Sequence, residues 1–196
     1  MPHTLVIHAH PRHSQSIITR DLRAVFDSPQ SEDTEVRSLY ALYPDFDIDV
    51  AAEQAALLRA DLIVWLAPVH WYSVPALMKH WFDQVLTHGW AYGHTAQALR
   101  GKSVWWVTSA GGSLRDYAPN AAHGRAFADF IPPIEHTARF CSMQWLPPYV
   151  VHHGHAASAQ AQADCLAQVG SLWLQHLSGL RTTAAAETLN IPRSTP

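Results

Sequence analysis

Short apolar runs alternate along the chain with stretches in which apolar residues recur at helical spacing. The strand-like runs cover Thr4–His8, Glu35–Leu39, Asp61–Leu66, Ser103–Thr108 and Tyr149–His152. Two of them, DLIVWL and SVWWVT, are apolar almost throughout, which is typical of strands buried on both faces of a parallel sheet. Such strands need helices on both sides, so the pattern favours a layered α/β protein.

Helical patterns follow each of these runs. The predicted helices open at Ser14 or Ser16, at Asp49 (ending near Arg59), at Pro75, near Ile134 (ending at Cys141) and at Ala157 (ending near Leu180). Serine and aspartate suit the first positions because their side chains cap free N–H groups. Strands that alternate with helices predict an α/β fold with a doubly wound five-stranded parallel sheet in three layers. Residues 1–180 form the predicted domain, and we expect the polar tail 181–196 to be disordered.

Composition narrows the class of protein. The chain has 196 residues, 48% hydrophobic and 15% charged, which suits one domain with a sizeable core. A formal net charge of −3 argues against nucleic acid as the main partner, since binding phosphates needs a basic face. The apolar runs are too short to span a bilayer, and the first residues do not resemble a signal peptide. With only Cys141 and Cys165, we expect a cytoplasmic protein without disulfides.

Several common motifs are missing from the sequence. It contains no G-x-G-x-x-G, no GxxxxGK[ST], no G-x-S-x-G and no HExxH, so nicotinamide-binding Rossmann domains, P-loop kinases, α/β-hydrolases and zinc peptidases are unsupported. His152, His153 and His155 raise the alternative of a metal site. Their spacing does not place ligands on one face of an element, so we expect a solvated strand end and no metal.

In a doubly wound sheet, ligands bind beyond the carboxyl ends of the strands, where the strand order reverses. Three loops reach that edge, namely 8–16, 67–74 and 108–117. The first brings serines to a helix N-terminus, which favours an anion but equally suits simple helix capping. The second brings Trp71 and Tyr72, which suit a flat ligand, a core wedge or a subunit contact. The third brings two glycines, whose bare backbone lets amide groups approach a ligand.

Together these loops offer phosphate donors, an aromatic wall and backbone N–H groups. A flavin mononucleotide needs all three, because it has a phosphate, a flat ring and a polar ring edge. The sequence also resembles the flavodoxin-like NAD(P)H:quinone oxidoreductases, and the matching segments are Ala9–Pro11 with Ser14, Arg59–Gly93 and Val107–Gly112. The resemblance is closest to the bacterial branch of ancillary subunits of glutathione-gated potassium efflux systems, through Arg37–Gln54 and Trp145–His152.

The resemblance implies a flavodoxin-like fold with non-covalent FMN or FAD and a homodimer with its sites at the interface. It implies ping-pong transfer of two electrons from NAD(P)H through the flavin to a quinone. For the closest branch it also implies contact with the cytosolic face of a potassium efflux transporter.

The resemblance assigns residues to each part of the site. The residues that correspond to the phosphate loop are His10, Ser14, Gln15, Ser16 and Ile17. Those that correspond to the strip along the flavin ring are Val69, His70, Trp71 and Tyr72. Those that correspond to backbone donors at the ring edge are Thr108, Ser109, Ala110, Gly111 and Gly112. Tyr117 and His123 match a catalytic Tyr and His six residues apart. This sequence departs from the family pattern in two loops. The first loop is about two residues shorter than in the potassium-efflux relatives, and Ile17 stands where an Asn is common. The glycine loop reads SAGG where the family has TTGG.

The helix after Pro75 has apolar residues on more than one side. Leu77, Trp81 and Val85 can face the sheet while Met78 and Phe82 face elsewhere. A second chain would cover these two residues, as would the segment His88–Gly101 of the same chain. The predicted homodimer draws on the first interpretation.

Three other functions compete with a quinone oxidoreductase. The first is a regulatory subunit that docks on a potassium efflux transporter. The second is an electron carrier of flavodoxin type, although such carriers are usually strongly acidic and this chain is not. The third is an azo or nitro reductase, which would use the same flavin site.

Overall fold

The described residues fold into a sheet of five parallel strands between two layers of helices. The computed structural model describes residues 2–27, 33–152 and 158–189, with side chains up to residue 182. The strands are β1 (Thr4–His8), β2 (Thr34–Ser38), β3 (Leu62–Pro68), β4 (Ser103–Ala110) and β5 (Gln144–His152). Their order is β2-β1-β3-β4-β5, and every neighbouring pair is parallel. The predicted flavodoxin-like three-layer α/β fold is confirmed.

Helices cover both faces of this sheet. In the described ranges they are α1 (Ile18–Phe26), α2 (Leu39–Leu42), α3 (Val50–Arg59), α4 (Ala76–Val85), α5 (Pro132–Phe140) and α6 (Ala159–Leu189). Strand residues alternate between the two cores that result. Leu5, Ile7 and Trp106 pack with residues of α2 to α5, whereas Val6 and Trp105 pack with α1 and α6. No helix in these ranges is long and apolar enough to cross a membrane.

The boundaries of some elements differ from the sequence prediction. Strand β5 begins at Gln144 rather than Tyr149, because it accommodates Pro147 and Pro148 at a register shift opposite Trp105–Val107. Since β5 is an edge strand, prolines interrupt no second ladder there. Helix α6 continues past Leu180 to Leu189, so the part of the predicted tail that is described is helical. The alanines of that segment favour helix, and residues 190–196 lie outside the described residues.

The interpretation that a second chain covers part of α4 is wrong. Met78 and Phe82, which we expected to need a partner, are buried within the chain itself. Phe82 packs against Trp65, with ring centroids 4.7 Å apart, and Ile134 of α5 belongs to the same core. The homodimer therefore stays a prediction from the resemblance alone.

A buried carboxylate joins the elements on one side of the sheet. Glu53 of α3 is completely buried, and it accepts hydrogen bonds from Arg37 Nε (2.7 Å), Tyr43 Oη (2.6 Å) and Trp81 Nε1 (2.8 Å). Burial disfavours a charged guanidinium, but the hydrogen bond and charge of Glu53 outweigh this and raise the pKa of Arg37. Glu53 thus connects β2, the residue after α2, and α4 through hydrogen bonds that the dry core strengthens.

Substituting Glu53→Gln should destabilise the protein by about 2–4 kcal/mol, because it removes the fully buried carboxylate that pairs with Arg37 and leaves that guanidinium with the partly exposed Glu35 (3.1 Å) as counter-charge. Glu135→Gln is the matched control, since Glu135 pairs with Arg139 one helical turn away on the exposed face of α5 (2.7 Å). That change should cost less than about 1 kcal/mol. Urea unfolding of both variants measures the difference, and equal losses would contradict the structural role given to Glu53.

Candidate functional site

A cavity of about 280 Å³ lies at the carboxyl ends of β1, β3 and β4, where the strand order reverses. We call it the switch-point cavity. All three loops singled out in the sequence contribute to it. It is lined by His10, Gln15, Ser16, Ile17, Ile18, Thr19, Pro68, Val69, His70, Ser109, Ala110 and Gly111. Open parallel sheets bind ligands at this position because the loops on either side diverge there.

One end of the cavity is the N-terminus of α1. The helix begins at Ile18, later than the predicted serine caps, because His13–Gln15 form a separate 3-10 turn. First-turn N–H groups have no carbonyl partner inside a helix, so those of Ile18 and Thr19 are available where both residues line the cavity. Ser16 Oγ accepts from the backbone N–H of Arg20 (3.2 Å), which leaves its own proton for another acceptor. This end of the cavity therefore suits an anion.

His10 adds a directed donor to the cavity. Its Nδ1 accepts from the backbone N–H of Arg12 (3.1 Å), so in the neutral ring the proton must reside on Nε2. Burial, with smaller effects of His70 and His13, lowers the pKa of His10. Burial likewise lowers the pKa of His70, whose ring centroid lies 6.4 Å from that of His10. Behind them, burial lowers the pKa of His8 to about 3. Without a ligand, these imidazoles are neutral at pH 7.

The third loop presents bare backbone to the cavity. A methyl group built on Gly111 would meet no atom within 4 Å, so this cavity-lining glycine has open space beside its Cα. Ser109 and Ala110 line the cavity beside it, and Ser109 Oγ lies 3.4 Å from Thr19 Oγ1 across the gap. Thr108 is completely buried and donates its hydroxyl to the Ala67 carbonyl (2.7 Å). Its side chain therefore belongs to the sheet and not to the cavity lining.

The second loop folds back in a tight turn. His70 and Ser73 exchange backbone hydrogen bonds of 2.9 and 3.0 Å, and both residues between them, Trp71 and Tyr72, have positive φ (49° and 63°). Side chains of this size rarely adopt that conformation, which costs about 1–3 kcal/mol per residue. The turn leaves Trp71 92% exposed at the rim. Strain combined with an exposed indole is typical of a binding surface rather than of a packed loop.

The predicted catalytic pair lies next to the glycine loop. The rings of Tyr117 and His123 are stacked, with centroids 4.2 Å apart and an angle of 19°. A methyl group on Gly112 would come within 2.8 Å of His123 Nε2 and 3.2 Å of Tyr117 Cε2, so only a glycine lets the pair pack here. Burial raises the pKa of Tyr117, and Tyr72 and Asp116 add to the effect. Tyr117 is accordingly a phenol that stays protonated and can donate.

The structure brings together most of the residues singled out in the sequence. The predicted residues that line the cavity are His10, Gln15, Ser16, Ile17, Val69, His70, Ser109, Ala110 and Gly111. The predicted residues outside its lining are Ser14, Trp71, Tyr72, Thr108, Gly112, Tyr117 and His123. Ser14 is exposed because the 3-10 turn directs it outward.

Sequence reasoning missed four residues at or near the cavity. Ile18, Thr19 and Pro68 line it, and a correct start of α1 would have found the first two. His152 at the end of β5 meets Tyr117 edge-on, with ring centroids 5.4 Å apart, and burial lowers its pKa. His153 and His155 lie outside the described residues. Within the described ranges, no three His, Cys, Asp or Glu side chains are grouped to hold a metal.

Comparison with known proteins agrees with this geometry. A family model described as "Flavodoxin-like fold" matches residues 2–173. The solved structure of an NADPH-quinone reductase from P. pentosaceus is 30% identical, with a TM-score of 0.77 over 87% of this chain and 96% of that one. This chain belongs to the flavodoxin-like quinone oxidoreductase family.

Two further proteins are similar to this chain. The glutathione-regulated potassium-efflux system ancillary protein KefF of Klebsiella aerogenes is 49% identical over 148 residues, which are 76% of this chain and 81% of the relative. General stress protein 14 of Treponema denticola, solved in complex with FMN, is 36% identical with a TM-score of 0.79. That similarity covers 91% of this chain and 99% of the other. The family resemblance read from the sequence is confirmed.

Substituting Gly112→Ala should displace the stacked rings and destabilise the free protein by about 1–3 kcal/mol, because the new methyl group collides with His123. Gly111→Ala is the matched control and should change stability by less than about 0.5 kcal/mol, since its methyl group meets open space. Thermal unfolding of both variants without ligand tests this. An equally stable Gly112→Ala protein would show that the rings are not packed on Gly112.

Proposed function

We propose that this protein is an FMN-dependent NAD(P)H:quinone oxidoreductase. One observation carries the proposal. The switch-point cavity joins an anion-binding helix end and the His10 donor to the bare backbone of Ser109–Gly111. A phosphate at one end and a flat ring with a polar edge at the other describe a flavin mononucleotide. The FMN complex of the Treponema relative and the name of the P. pentosaceus relative support the same cofactor and reaction class.

The residues present fit this cofactor. The N–H groups of Ile18 and Thr19, the Ser16 hydroxyl and His10 would hold the phosphate. Val69 and His70 would flank the ring, and the backbone of Gly111, which follows the end of β4, would face its polar edge. Gly111 leaves room for that close approach. FAD is the alternative cofactor, and chromatography of the released pigment distinguishes the two.

Bound FMN would supply hydride transfer between NAD(P)H and an acceptor, and the protein would provide position and polarity. Backbone N–H groups of the glycine loop would act as fixed dipoles that stabilise negative charge on the reduced cofactor. Tyr117, kept protonated by its surroundings, donates a hydrogen bond to an acceptor oxygen. His123, stacked on Tyr117, adds a second polar group beside it. Because NAD(P)H and the quinone would meet the same residues, we infer ping-pong kinetics.

A second candidate function rests on the KefF relative. At 49% identity over most of both chains, it supports contact between this protein and the cytosolic face of a potassium efflux transporter. Such contact is compatible with the enzyme function, because the switch-point cavity needs only one edge of the sheet. The homodimer and the cytoplasmic location are likewise proposals that rest on the resemblance and on the relatives.

Replacing His123→Ala should lower quinone turnover about a hundredfold while leaving the FMN content of the purified protein nearly unchanged. The reason is that His123 lies outside the cavity lining but beside Tyr117. His94→Ala, at an exposed position, is the control and should alter neither quantity. Steady-state rates with varied NADPH and quinone, together with the flavin absorbance, give both readouts. Loss of FMN in His123→Ala would mean that the residue is structural, and intersecting rather than parallel double-reciprocal lines would refute the ping-pong order.

FMN should bind more tightly as pH falls from about 8 to about 6.5. In the free protein the pKa of His10 is lowered. A bound phosphate would stabilise the imidazolium of His10 and raise this pKa, so the complex would hold more protons than the free protein between the pKa of the free protein and that of the complex. Affinity therefore rises as pH falls through the pKa of the complex, by about tenfold at most per proton taken up and per pH unit.

Quenching of FMN fluorescence at several pH values measures this trend. Riboflavin, which lacks the phosphate, is the matched ligand and should bind with little pH dependence. His10→Asn should reduce the slope for FMN because it keeps a donor but cannot be protonated. An equal slope for FMN and riboflavin would exclude the assignment of the phosphate to the His10 end.

A further inference from the structure

We propose that Tyr72 is a positioning residue that fixes the tautomer of His123 and thereby directs an imidazole N–H toward the glycine loop. The hydroxyl of Tyr72 lies 3.4 Å from Nδ1 of His123, and the two rings meet edge-on at 83°. The sequence assigned Tyr72 only to the strip along the flavin ring. Its effect on the reaction rests on the proposed function, whereas the contact with His123 does not.

The ring of His123 is held on three sides. Its face stacks on Tyr117, its Nε2 side abuts Gly112, and its Nδ1 side meets Tyr72. The backbone N–H of His123 donates to the Asp116 carbonyl (3.1 Å), which anchors the residue to the loop that carries Tyr117. The Asp116 carboxylate accepts from the backbone N–H and the hydroxyl of Ser113 (2.6 and 2.8 Å).

Tyr72 is itself fixed with unusual firmness for a residue that is 44% exposed. Its backbone has a φ of 63° inside the turn closed by His70 and Ser73. Its ring stacks on Phe130, with centroids 4.8 Å apart and an angle of 29°. A strained backbone persists only where the surroundings over-determine it, and here they place the hydroxyl against His123.

The contact has a chemical consequence. A neutral imidazole has one N–H and one acceptor nitrogen, and the bond made by one nitrogen decides the role of the other. When Tyr72 donates to Nδ1, the proton of His123 resides on Nε2, the nitrogen nearest to Gly112. The resulting N–H faces the loop whose backbone amides line the cavity at Gly111. The opposite tautomer would direct a lone pair there and oppose negative charge.

Nitrogen-15 spectra of the histidine rings test the tautomer directly. The protein is labelled at histidine and measured with and without FMN at about pH 8.5, where an ordinary imidazole is neutral. Loss of signals in His123→Gln assigns the ring. In the wild type we expect an unprotonated, hydrogen-bonded Nδ1 and a protonated Nε2. In Tyr72→Phe, which keeps the Phe130 stack, Nδ1 should shift toward a free acceptor and the second tautomer should appear.

Tyr92→Phe is the matched control, because Tyr92 also meets a histidine, His88, edge-on, with ring centroids 5.5 Å apart. It should leave the His123 signals and the turnover unchanged. Tyr72→Phe should lower quinone turnover about fivefold, as expected for the loss of one neutral hydrogen bond. A proton on Nδ1 in the wild type, or His123 signals unchanged in Tyr72→Phe, would overturn the proposal. Absence of quinone turnover in the wild type would refute the proposed function and leave the tautomer result standing.

Discussion

The whole site depends on the burial of the sheet on both of its faces. Because β1, β3 and β4 are covered by helices on each side, the middle of each strand is apolar, and the polar groups of these strands lie near their ends. The reversal of strand order between β1 and β3 then separates the connecting loops and opens the switch-point cavity. Burial of both faces of the sheet thus determines where the hydrogen-bond donors of the site lie, from the N-terminus of α1 to the glycine loop.

The hydrogen bonds of Glu53 help to hold helix α4, which lies next to the site in the chain. Glu53 accepts from Trp81 of α4, and Leu77 in the first turn of α4 donates its backbone N–H to Tyr40 of α2 (3.3 Å). Helix α4 follows directly after the strained turn at Trp71 and Tyr72. Fixing the start of α4 therefore fixes one end of that turn. In this way the buried Glu53 helps to stabilise the turn at Trp71 and Tyr72, whose positive φ angles are energetically costly.

The sequence predicted the layered fold because burial on both faces leaves a pattern that a short window can detect, as in DLIVWL and SVWWVT. The sequence prediction failed where the structure depends on tertiary contacts or on short irregular segments rather than on a repeating pattern. Helix α2 is only four residues long, and β5 contains two prolines that an edge strand tolerates but a pattern does not predict. In the first loop, the 3-10 turn directs Ser14 outward and delays α1, so that Ile18 and Thr19 line the cavity instead. The contact between Tyr72 and His123 joins residues 51 positions apart, which no local spacing could indicate.

The strained turn also explains why the exposed Trp71 lies at the edge of the site. A two-residue turn with positive φ at both positions is most easily made by Asn and Gly, and replacing Trp71 and Tyr72 by such residues would relieve the strain. It would also remove the hydroxyl that reaches His123 and the indole that stands at the rim of the cavity. An indole that is 92% exposed gains most from burial against a flat ligand or a second chain. The side chains, and not the backbone, are therefore the reason for this turn, and the rest of the fold compensates for its conformational cost.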